Sequence, residues 1–376
     1  MTPPTSKAAL VGIGFIGQAH LEALRRLNIP IAGVLGHEED YTRREAARLG
    51  LHPYTSLDEV LADPAVTVVH QCGPNDVHAP QNLRALASGK HVFSEKPLGV
   101  SSDETARQLR VARASGRQTA VNFTYRGYAA VQTLRDLVQG GELGEVVSLR
   151  GHYLQDWLLY ATDFNWRVGA PARETRAVSD IGSHLSDLAR YVTGLEPRRV
   201  QARFLTLHPE RRRPLGTLQT FASGGTETEA FSVTTEDQAS LWVDYGGVHA
   251  SFELSQVAPG HKNDLELEIL GTRGSARWRQ ERPEEIDLAS RESRRTVQHK
   301  DPAHPFTHYP SGHPEGYPDA LTNVLRAFYT GLSGTPDPRI ARFEDGHAAA
   351  QFVEAAYASH LSGQPAEVGA TRDVPA

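Results

Sequence analysis

Three glycines near the start of the sequence have the spacing that binds a phosphate-containing ligand. Gly12, Gly14 and Gly17 form G-x-G-x-x-G in VGIGFIGQAH, directly after the apolar run AALV, and Phe15 and Ile16 lie in the same loop. Between a strand and a helix, the first glycine makes a tight turn, the second lets the backbone approach a pyrophosphate, and the third lets helix and strand pack closely. The helix N-terminus adds partial positive charge. The sequence predicts that these five residues contact a dinucleotide, with a purely structural turn as the alternative.

A lysine in the segment FSEKPLG is the second candidate for chemistry. Lys96 follows Glu95 and precedes a proline at the end of a predicted parallel strand. Such strand ends face the crevice where open sheets bind ligands. The chain has five lysines against 34 arginines, so a lysine here is less expected by chance. We predict that Lys96 faces a ligand, with an ordinary surface lysine as the alternative.

An acid and a histidine with helical spacing form the third candidate. Asp180 and His184 are four residues apart in AVSDIGSHLSDLARY, so an α-helix would present both on one face. On this pattern alone, a capped helix with a hydrogen-bonded structural histidine is the better interpretation. A metal site is not predicted, because no further ligand pattern accompanies the pair. The single cysteine, Cys72, predicts a buried thiol and excludes a disulfide within the chain or a cysteine-based zinc site.

The end of the second predicted strand bears on the choice between NAD and NADP. An acid that binds the ribose 2′-hydroxyl of NAD is expected there, but the segment GVLGHEED has Gly36 and His37 at that position. Gly36 would leave room for a 2′-phosphate, and Arg43 or Arg44 could pair with it. The acidic residues at 38–40 favour NAD instead. The pattern slightly favours NADP, with Gly36 and His37 as candidate cofactor contacts.

These candidates need a scaffold, and the order of predicted elements supplies one. From residue 7 to 123, short apolar runs alternate with amphipathic segments, which predicts a doubly wound parallel sheet of the Rossmann type. Farther along, strands separated by turn signals predict a mostly antiparallel open sheet flanked by helices. We expect a dinucleotide-binding domain at 1–123 and a substrate-binding and oligomerisation domain at 124–376. The C-terminal helices are candidates to pack back on the first domain.

Two segments rich in Pro, Gly, His and Arg, 208–230 and 282–318, are expected to be long loops. The second is long enough to be a lid or an inter-subunit arm. The strand segments ASLWVDY and ASFELSQV place bulky residues on both sides of the second sheet. We therefore expect another copy of the chain to cover its exposed face and to form a homodimer or homotetramer.

Length and charge exclude several classes of partner. With 376 residues and a net charge of −6, the chain has room for two domains and no electrostatic reason to bind nucleic acid. The triplet Arg211-Arg212-Arg213 is expected to be a solvated loop, because a phosphate track needs many convergent cations. No apolar window has the length that crosses a bilayer, and the N-terminus has no leader pattern. We expect a cytoplasmic protein with a small-molecule substrate and no membrane partner.

Four motifs in order resemble those of the glucose–fructose oxidoreductase, inositol dehydrogenase and rhizopine-catabolism (Gfo/Idh/MocA) family: VGIGFIGQAH, CGPNDVHAP, SEKPLG and DIGSHLSDL. The likeness extends from about residue 7 to the C-terminus, where FEDGHAAAQFVEAAYAS resembles the closing helix of the family. GHYLQDWLLYATDFNWR resembles a sugar-oxidising branch. The resemblance implies an NAD(P)-dependent dehydrogenase or reductase that acts on a secondary alcohol of a sugar, polyol or anhydrosugar.

The resemblance also assigns residues on the cofactor side. Pro74, Asn75 and His78 match a family loop near the nicotinamide ribose, and Glu95 and Lys96 match the E-K-P pair. All five are therefore candidate cofactor contacts. One departure from the family pattern, the missing acid after the second strand, leaves the choice of cofactor open.

On the substrate side, the resemblance implies three catalytic residues. His184 would act as the base for the hydroxyl proton, Lys96 would hold the hydroxyl and stabilise the developing alkoxide, and Asp180 would orient the substrate or the imidazole. The residues that could hold a sugar are polar or aromatic: Asn122, Tyr125, Arg126, Tyr153, Gln155, Asp156, Trp157, Trp166 and Arg167. Trp157 and Trp166 could instead be packing residues, and Arg167 could instead be a partner in a structural ion pair.

Two other classes of function stay open at this point. A nucleotide-binding sensor could keep the fold without turnover, although such a protein would have no reason to retain Lys96, Asp180 and His184 together. A structural or assembly protein would explain the second domain but not the E-K-P segment. Loss of activity with retained cofactor binding in Lys96→Ala would favour the enzyme.

Overall fold

The computed structural model describes residues 6–169, 175–214, 228–310 and 312–369, and it divides into two compact units. The first unit comprises residues 1–128 and 315–350, and the second comprises residues 129–314 and 351–376. The first division falls close to the boundary expected after residue 123. Residues 315–350 return to the first unit.

The first unit contains a parallel sheet in the order β2-β1-β3-β4-β5, which confirms the predicted Rossmann-type alternation. Its strands are β1 (Lys7–Val11), β2 (Ile31–Leu35), β3 (Val66–Gln71), β4 (His91–Ser94) and β5 (Thr119–Val121). Its helices are α1 (Phe15–Arg26), α2 (Glu39–Leu49), α3 (Leu57–Ala62), α4 (Asn75–Ala87), α5 (Ser102–Ser115), α8 (Tyr317–Gly331) and the first part of α9 (Phe343–Ser362). Because the strand order reverses between β1 and β3, the ligand-binding crevice of such a sheet opens at the carboxyl ends of these two strands.

Local chemistry explains where these elements begin and end. The side chains of β1 are buried beyond Lys7, as expected for a strand with both faces covered. Ser56 caps α3 by accepting a hydrogen bond from the N–H of Glu59. Gly50 ends α2 in the left-handed conformation. After β5 the chain turns at once into a 3₁₀ helix at Thr124–Gly127.

The second unit contains a mostly antiparallel sheet, in the order β15-β14-β13-β12-β6-β11-β10-β7-β16. Among the described strands its pairings are antiparallel except that of β6 with β11. The strands are β6 (Val146–Leu154), β7 (Arg199–Leu205), β10 (Gln238–Asp244), β11 (His249–Ser255), β12 (Asp264–Gly271), β13 (Ser275–Arg279), β14 (Glu285–Ala289), β15 (Thr296–His299) and β16 (Ala366–Glu367). The helices of this unit are α6 (Ala129–Gln139), α7 (Ser183–Thr193), which follows a π-helical turn at Val178–Gly182, the 3₁₀ helix Trp166–Gly169 and the remainder of α9.

The two expected long loops are only partly loops. Within 208–230 the chain forms β8 (Glu210–Pro214), which pairs with β9 (Thr228–Ser232), and within 282–318 it forms β14 and β15, which extend the large sheet. The expectation of two long loops is therefore wrong for these stretches. Charged residues obscure the strand alternation in β14, where Ile286 is buried while Asp287 pairs with Arg277 of β13.

The two faces of the large sheet differ in polarity. On β10, Leu241 is buried and Trp242 is 44% exposed, so bulky residues do lie on both sides of that strand. On β11 the expectation is wrong, because Phe252 is buried while Ser251 and Glu253 lie on the outer side. The outer face is therefore a mainly charged surface with one exposed tryptophan. No helix among the described residues is long and apolar enough to cross a membrane.

Candidate functional site

The loop between β1 and α1 has the geometry that a dinucleotide requires. Gly12 has a φ of +96°, and a Cβ atom there would lie 2.4 Å from the carbonyl carbon of Cys72. A Cβ atom on Gly17 would lie 2.1 Å from the carbonyl oxygen of Gly12. On Gly14, by contrast, a Cβ atom would meet no described atom within 4 Å. The three positions therefore differ as predicted: a tight turn, an open approach and close helix–strand packing.

The first turn of α1 presents backbone N–H groups to an anion. Gly14 occupies the N-cap position, no described side chain caps the helix, and its first turn contains no acidic residue. Helices α3 and α5 are instead capped by Ser56 and Ser101. Phe15 is 61% exposed at the tip of the loop, and Ile16 follows it. Uncapped N–H groups and the helix dipole favour a phosphate, so the loop fits the pyrophosphate of a dinucleotide.

Gly36, directly after β2, is closely packed against α2. A Cβ atom on this glycine would lie 2.8 Å from Oγ1 of Thr42 and 2.8 Å from Cδ1 of Tyr41. The N–H of Gly36 donates to Thr42 Oγ1 at 2.9 Å. The largely exposed His37 places its ring centroid 4.7 Å from that of Tyr41. Packing against Tyr41 and Thr42 therefore accounts for the glycine, and room for a 2′-phosphate beside Gly36 stays a prediction.

The loop after β3 is held by a buried histidine. Pro74 is the N-cap of α4, which begins at Asn75. The two ring nitrogens of His78 lie 2.9 Å from the carbonyl oxygen of Gly73 and 2.7 Å from that of Pro97. His78 therefore links the loops after β3 and β4, and its contact with a cofactor stays a prediction.

Glu95 lies at the centre of a buried hydrogen-bond network. Its Oε1 accepts a hydrogen bond from Asn122 at 2.6 Å and lies 2.9 Å from Nε2 of His20. Its Oε2 accepts a bond from the backbone N–H of Lys96 at 3.1 Å, immediately before a cis bond to Pro97. Burial by itself raises the pKa of Glu95, but the bonds from His20 and Asn122 and the charges of His20 and Lys96 outweigh it and hold this pKa below its ordinary value. Glu95 is thus an ionised group that fixes the backbone of Lys96.

The network continues through α1, β3 and α8. Nδ1 of His20 lies 3.0 Å from Nδ1 of His70, whose Nε2 lies 2.8 Å from the hydroxyl of Tyr329. Burial, together with the charge of His20, holds the pKa of His70 well below its ordinary value. On the other side, the hydroxyl of Thr124 donates to Oδ1 of Asn122 at 2.8 Å. The chain of polar groups crosses the carboxyl edge of the parallel sheet. Cys72 is a buried free thiol, as predicted.

Three residues of the first unit were predicted to hold substrate; that stays a prediction, and each of them has contacts within the unit. Asn122 belongs to the Glu95 network. Tyr125 is buried with its ring stacked on Tyr128, at 6.1 Å between centroids. Arg126 is 4% exposed, and its Nη2 lies 2.9 Å from Oδ1 of Asp345. The charge of Arg126 is therefore engaged in an ion pair within this unit.

In the second unit, Asp180 and His184 stand at a change of helix geometry. Asp180 lies in the π-helical turn that the sequence did not predict, and such turns occur frequently at functional sites. Its Oδ2 accepts a bond from Nε2 of Gln256 at 2.9 Å, and its Oδ1 lies 3.6 Å from Nε of Arg167. His184, in the first turn of α7, has its ring centroid 6.3 Å from that of Tyr153. Two predicted residues, Asp180 and Arg167, are therefore neighbours.

Beside His184, a chain of hydrogen bonds fixes two aromatic side chains. Oδ1 of Asn263 accepts bonds from the hydroxyl of Tyr153 at 2.6 Å and from Nε2 of Gln155 at 3.0 Å. The indole N–H of Trp157 donates to Oε1 of Gln155 at 2.8 Å. An aromatic and polar wall of this kind suits a sugar, because it offers apolar ring faces and fixed hydrogen-bonding groups.

The remaining predicted substrate residues have other contacts. The carboxylate of Asp156 accepts bonds from Nζ of Lys262 at 2.6 Å and from the N–H of Gly260 at 3.1 Å. The bond from Lys262 lowers the pKa of Asp156. Trp166 is 42% exposed, and the guanidinium of Arg167 lies over its ring at 4.5 Å. Contact of Asp156 and Trp166 with substrate stays a prediction.

Sequence reasoning missed His20, Gln256 and Asn263. His20 could have been noticed, because it falls on the apolar stripe of α1 with Leu21 and Leu24 and is buried there. Gln256 and Asn263 follow β11 and precede β12 without any motif. Within the described ranges, no group of three or more His, Cys, Asp or Glu side chains is placed to hold a metal ion.

Two family models match the chain. Residues 6–123 match the model described as "Oxidoreductase family, NAD-binding Rossmann fold", and residues 131–277 match the model described as "GFO/IDH/MocA C-terminal domain".

Individual relatives agree with these models. Levoglucosan dehydrogenase from Pseudarthrobacter phenanthrenivorans is 31% identical over 316 residues, which cover 79% of this chain and 80% of that protein. The crystal structure of an oxidoreductase domain protein from Kribbella flavida has a TM-score of 0.88 at 28% identity and covers 97% of this chain and 99% of the other. A levoglucosan dehydrogenase in complex with NADH and L-sorbose has a TM-score of 0.86 at 27% identity, with 96% and 98% covered.

Proposed function

The chain belongs to the Gfo/Idh/MocA family of NAD-binding oxidoreductases, and on that premise we propose that it transfers a hydride between a nicotinamide cofactor and a secondary alcohol of a sugar, polyol or anhydrosugar. One observation supports this most. The dinucleotide loop after β1 and the Glu95 network that holds Lys96 lie at the carboxyl edge of one parallel sheet. The relatives that act on levoglucosan support the substrate class.

The reaction removes a proton from the hydroxyl oxygen and a hydride from the carbon that bears it. The loop of Gly12, Gly14 and Gly17 would hold a nicotinamide cofactor, which would supply the hydride acceptor. We propose that His184 accepts the proton and later releases it to solvent, so that the alcohol becomes a carbonyl group. Lys96, as an ammonium group, would stabilise the negative charge that develops on the oxygen. Asp180, which Gln256 and Arg167 contact, would orient the substrate or the imidazole.

The choice of cofactor is a proposal of its own, and we infer NAD. The guanidinium of Arg43 pairs with Glu39, and that of Arg44 lies 5.5 Å from the ring centroid of Tyr41. The first turn of α2 has the acidic residues Glu39 and Asp40, which disfavour a second phosphate. The relative solved with NADH points the same way. These contacts weaken the preference for NADP that the sequence pattern indicates.

The assembly is also proposed. We infer that the outer face of the large sheet, defined by Arg150, Trp242, Glu253 and Glu268, covers its counterpart in a homodimer or homotetramer. Positive and negative side chains alternate across this face, which suits a self-complementary contact. The cytoplasmic location expected from the sequence stays a prediction.

A panel of monosaccharides, anhydrosugars and inositols tests the function, with NAD⁺ and NADP⁺ in parallel and the absorbance of reduced nicotinamide as the signal. Turnover of one sugar class with NAD⁺ is the expected result. Cofactor binding without turnover of any sugar or ketone would favour the sensor alternative. Turnover with NADP⁺ alone would overturn the cofactor proposal and leave the enzyme assignment intact.

A further inference from the structure

A buried charge cluster in the second unit has no place in the chemistry described so far. It consists of Asp237, Arg176, Arg211 and Glu236, and we call it the Asp237 cluster. The side chains of both arginines and of Asp237 have no exposed surface. This location corrects the expectation that the triplet at 211–213 forms a solvated loop, since Arg211 is buried.

Asp237 joins the two arginines. Its Oδ1 accepts hydrogen bonds from Nη2 of Arg176 and, at 2.7 Å, from Nη2 of Arg211. Its Oδ2 accepts bonds from the N–H groups of Leu207 at 2.7 Å and His208 at 3.1 Å. Burial by itself raises the pKa of Asp237, but the two guanidinium groups and these bonds hold it below its ordinary value. Asp237 is therefore a buried carboxylate that accepts four hydrogen bonds.

Through Arg211, the cluster fixes the segment between Trp157 and Trp166. The guanidinium of Arg211 donates to three backbone carbonyl groups, those of Leu158 at 2.9 Å, Tyr160 at 2.9 Å and Asp163 at 3.3 Å. Two further contacts come from residues close to Arg211 in the chain. Nε2 of His208 lies 2.8 Å from the carbonyl oxygen of Leu159, and the N–H of Arg212 donates to the carbonyl oxygen of Ala161 at 2.9 Å. A loop with so many backbone contacts to one segment is held in a single conformation.

Through Arg176 and Glu236, the cluster fixes the start of the helix that bears Asp180. The carboxylate of Glu236 accepts bonds from the N–H of Arg176 at 2.9 and 3.0 Å and from that of Val178 at 2.8 Å. The carbonyl of Arg176 then accepts the N–H of Asp180 at 2.8 Å. The first N–H groups of the helical segment are therefore paired inside the cluster.

Stability alone does not account for this arrangement. Replacing a buried ion pair by well-packed apolar residues is often neutral or stabilising, because desolvation offsets the attraction. Among the described residues, Nε and Nη1 of Arg176 have no hydrogen-bond partner. These unpaired donors add to the free-energy cost of burying the cluster. What the cluster does provide is geometry, since one carboxylate orients two segments that both bear candidate substrate residues.

We propose that Asp237 is a positioning residue for the substrate side of the site, which it serves by fixing both the 158–163 loop and Arg176, just before the π-helical turn that begins at Val178. This inference rests on the proposed function. Loss of the charge at Asp237 releases Arg211 and Arg176 and leaves Trp157, Arg167 and Asp180 poorly oriented for a sugar. The dinucleotide loop, in the first unit, is unaffected.

The test compares Asp237→Asn with Asp244→Asn. Asp244 lies at the other end of β10 and pairs with the half-exposed Arg199, so it is the control for loss of an arginine-bound carboxylate outside the cluster. In Asp237→Asn the KM for the sugar rises by at least about tenfold and kcat falls with it, whereas NADH affinity changes less than about threefold. In Asp244→Asn the KM for the sugar, kcat and the NADH affinity all stay within about twofold of the wild-type values. Equal KM values in the two variants, or a parallel loss of NADH affinity, would overturn the proposal.

Hydrogen exchange separates this inference from the proposed function, because it needs no turnover. Asp237→Asn accelerates exchange in 158–168 and 176–184 but not in 7–35, and unchanged exchange would contradict the cluster's role even in an active enzyme. Silence of the wild type across the sugar panel would instead refute the proposed function. If Asp237→Asn does not fold, Arg211→Lys takes its place. Lysine keeps the positive charge but lacks the planar guanidinium group that donates to several carbonyl groups at once. This variant should loosen 158–163 and leave 176–180 protected, and the opposite pattern overturns the proposal.

Discussion

Nε2 of His20 lies 2.9 Å from Oε1 of Glu95, although the two residues are 75 positions apart in the chain, and both side chains are buried. Through this contact α1, which begins at the dinucleotide loop, is bonded to the carboxylate that holds the backbone of Lys96. The chemistry proposed for Lys96 therefore depends on this buried pair.

Removing the charge of Glu95 should destabilise the first unit. Glu95→Gln keeps the shape of the side chain but replaces a carboxylate that lies within hydrogen-bond distance of His20 and Asn122 by a weaker acceptor, which costs about 1–3 kcal/mol of unfolding free energy. Glu344→Gln is the control, because Glu344 forms an exposed pair with Arg113 in the same unit and should cost less than about 1 kcal/mol. Urea unfolding of the two variants measures the difference. Equal unfolding free energies would contradict a stabilising role for the Glu95 network.

The depressed pKa of His70 should make stability depend on pH. Because folded His70 binds a proton less readily than the unfolded chain, stability falls as the pH drops below about 6.5, by up to about 1.4 kcal/mol per pH unit. Glu95 does not contribute in this window, since its stabilisation is lost only below its ordinary pKa of 4.5. His70→Asn should therefore lose less stability than the wild type between about pH 7 and about pH 5.5. The exposed His37→Asn should keep the wild-type slope, and an unchanged slope in His70→Asn would contradict this account.

Alanine at two glycines of the loop should have opposite effects. Gly17→Ala places its methyl 2.1 Å from a backbone oxygen that cannot move freely, so it should unfold at a clearly lower temperature. Gly14→Ala meets no described atom, so it should fold normally but bind NADH at least about tenfold more weakly, because the methyl occupies the approach of the pyrophosphate. Thermal melts and NADH fluorescence titrations measure the two effects. Tight NADH binding by Gly14→Ala would argue against the loop as the cofactor site.

The outer face of the large sheet should mediate self-association. Trp242→Glu removes its exposed tryptophan and adds a like charge beside Glu253, so the assembly should dissociate to the 41.1 kDa chain. Tyr309→Glu, an exposed aromatic outside this sheet, should leave the mass unchanged. Sedimentation in solution gives both masses. A wild type that sediments as a monomer would refute the proposed assembly.

The parallel sheet could be predicted from the sequence because its strands are apolar runs separated by amphipathic helices. The strands at 285–289 and 296–299 could not, because charged residues such as Asp287, whose partner Arg277 is known only from the folded sheet, obscure the alternation that marks a strand. The π-helical turn at Asp180 was missed for a similar reason. Its initial N–H groups bond to Glu236, a residue with no sequence signature of a cap.

Among the site residues, the motif residues were predictable and their supports were not. Gly12, Gly14 and Gly17 have a spacing whose physical meaning is local. The partners Gln256 and Asn263 lie 76 and 110 positions from the side chains they bind, so no local pattern could reveal them. Arg211 was misread because a basic triplet is usually solvated, whereas here Asp237 compensates its charge inside the unit.

The most direct test of the central claim is the initial rate of NADH formation by His184→Asn with the sugar that the wild type turns over best. If His184 accepts the hydroxyl proton, kcat falls by about 10²–10⁴-fold and the acidic limb of its pH profile disappears, while NADH affinity is unchanged. A kcat within about threefold of the wild type, with the same pH profile, would contradict the account and move the base to another residue.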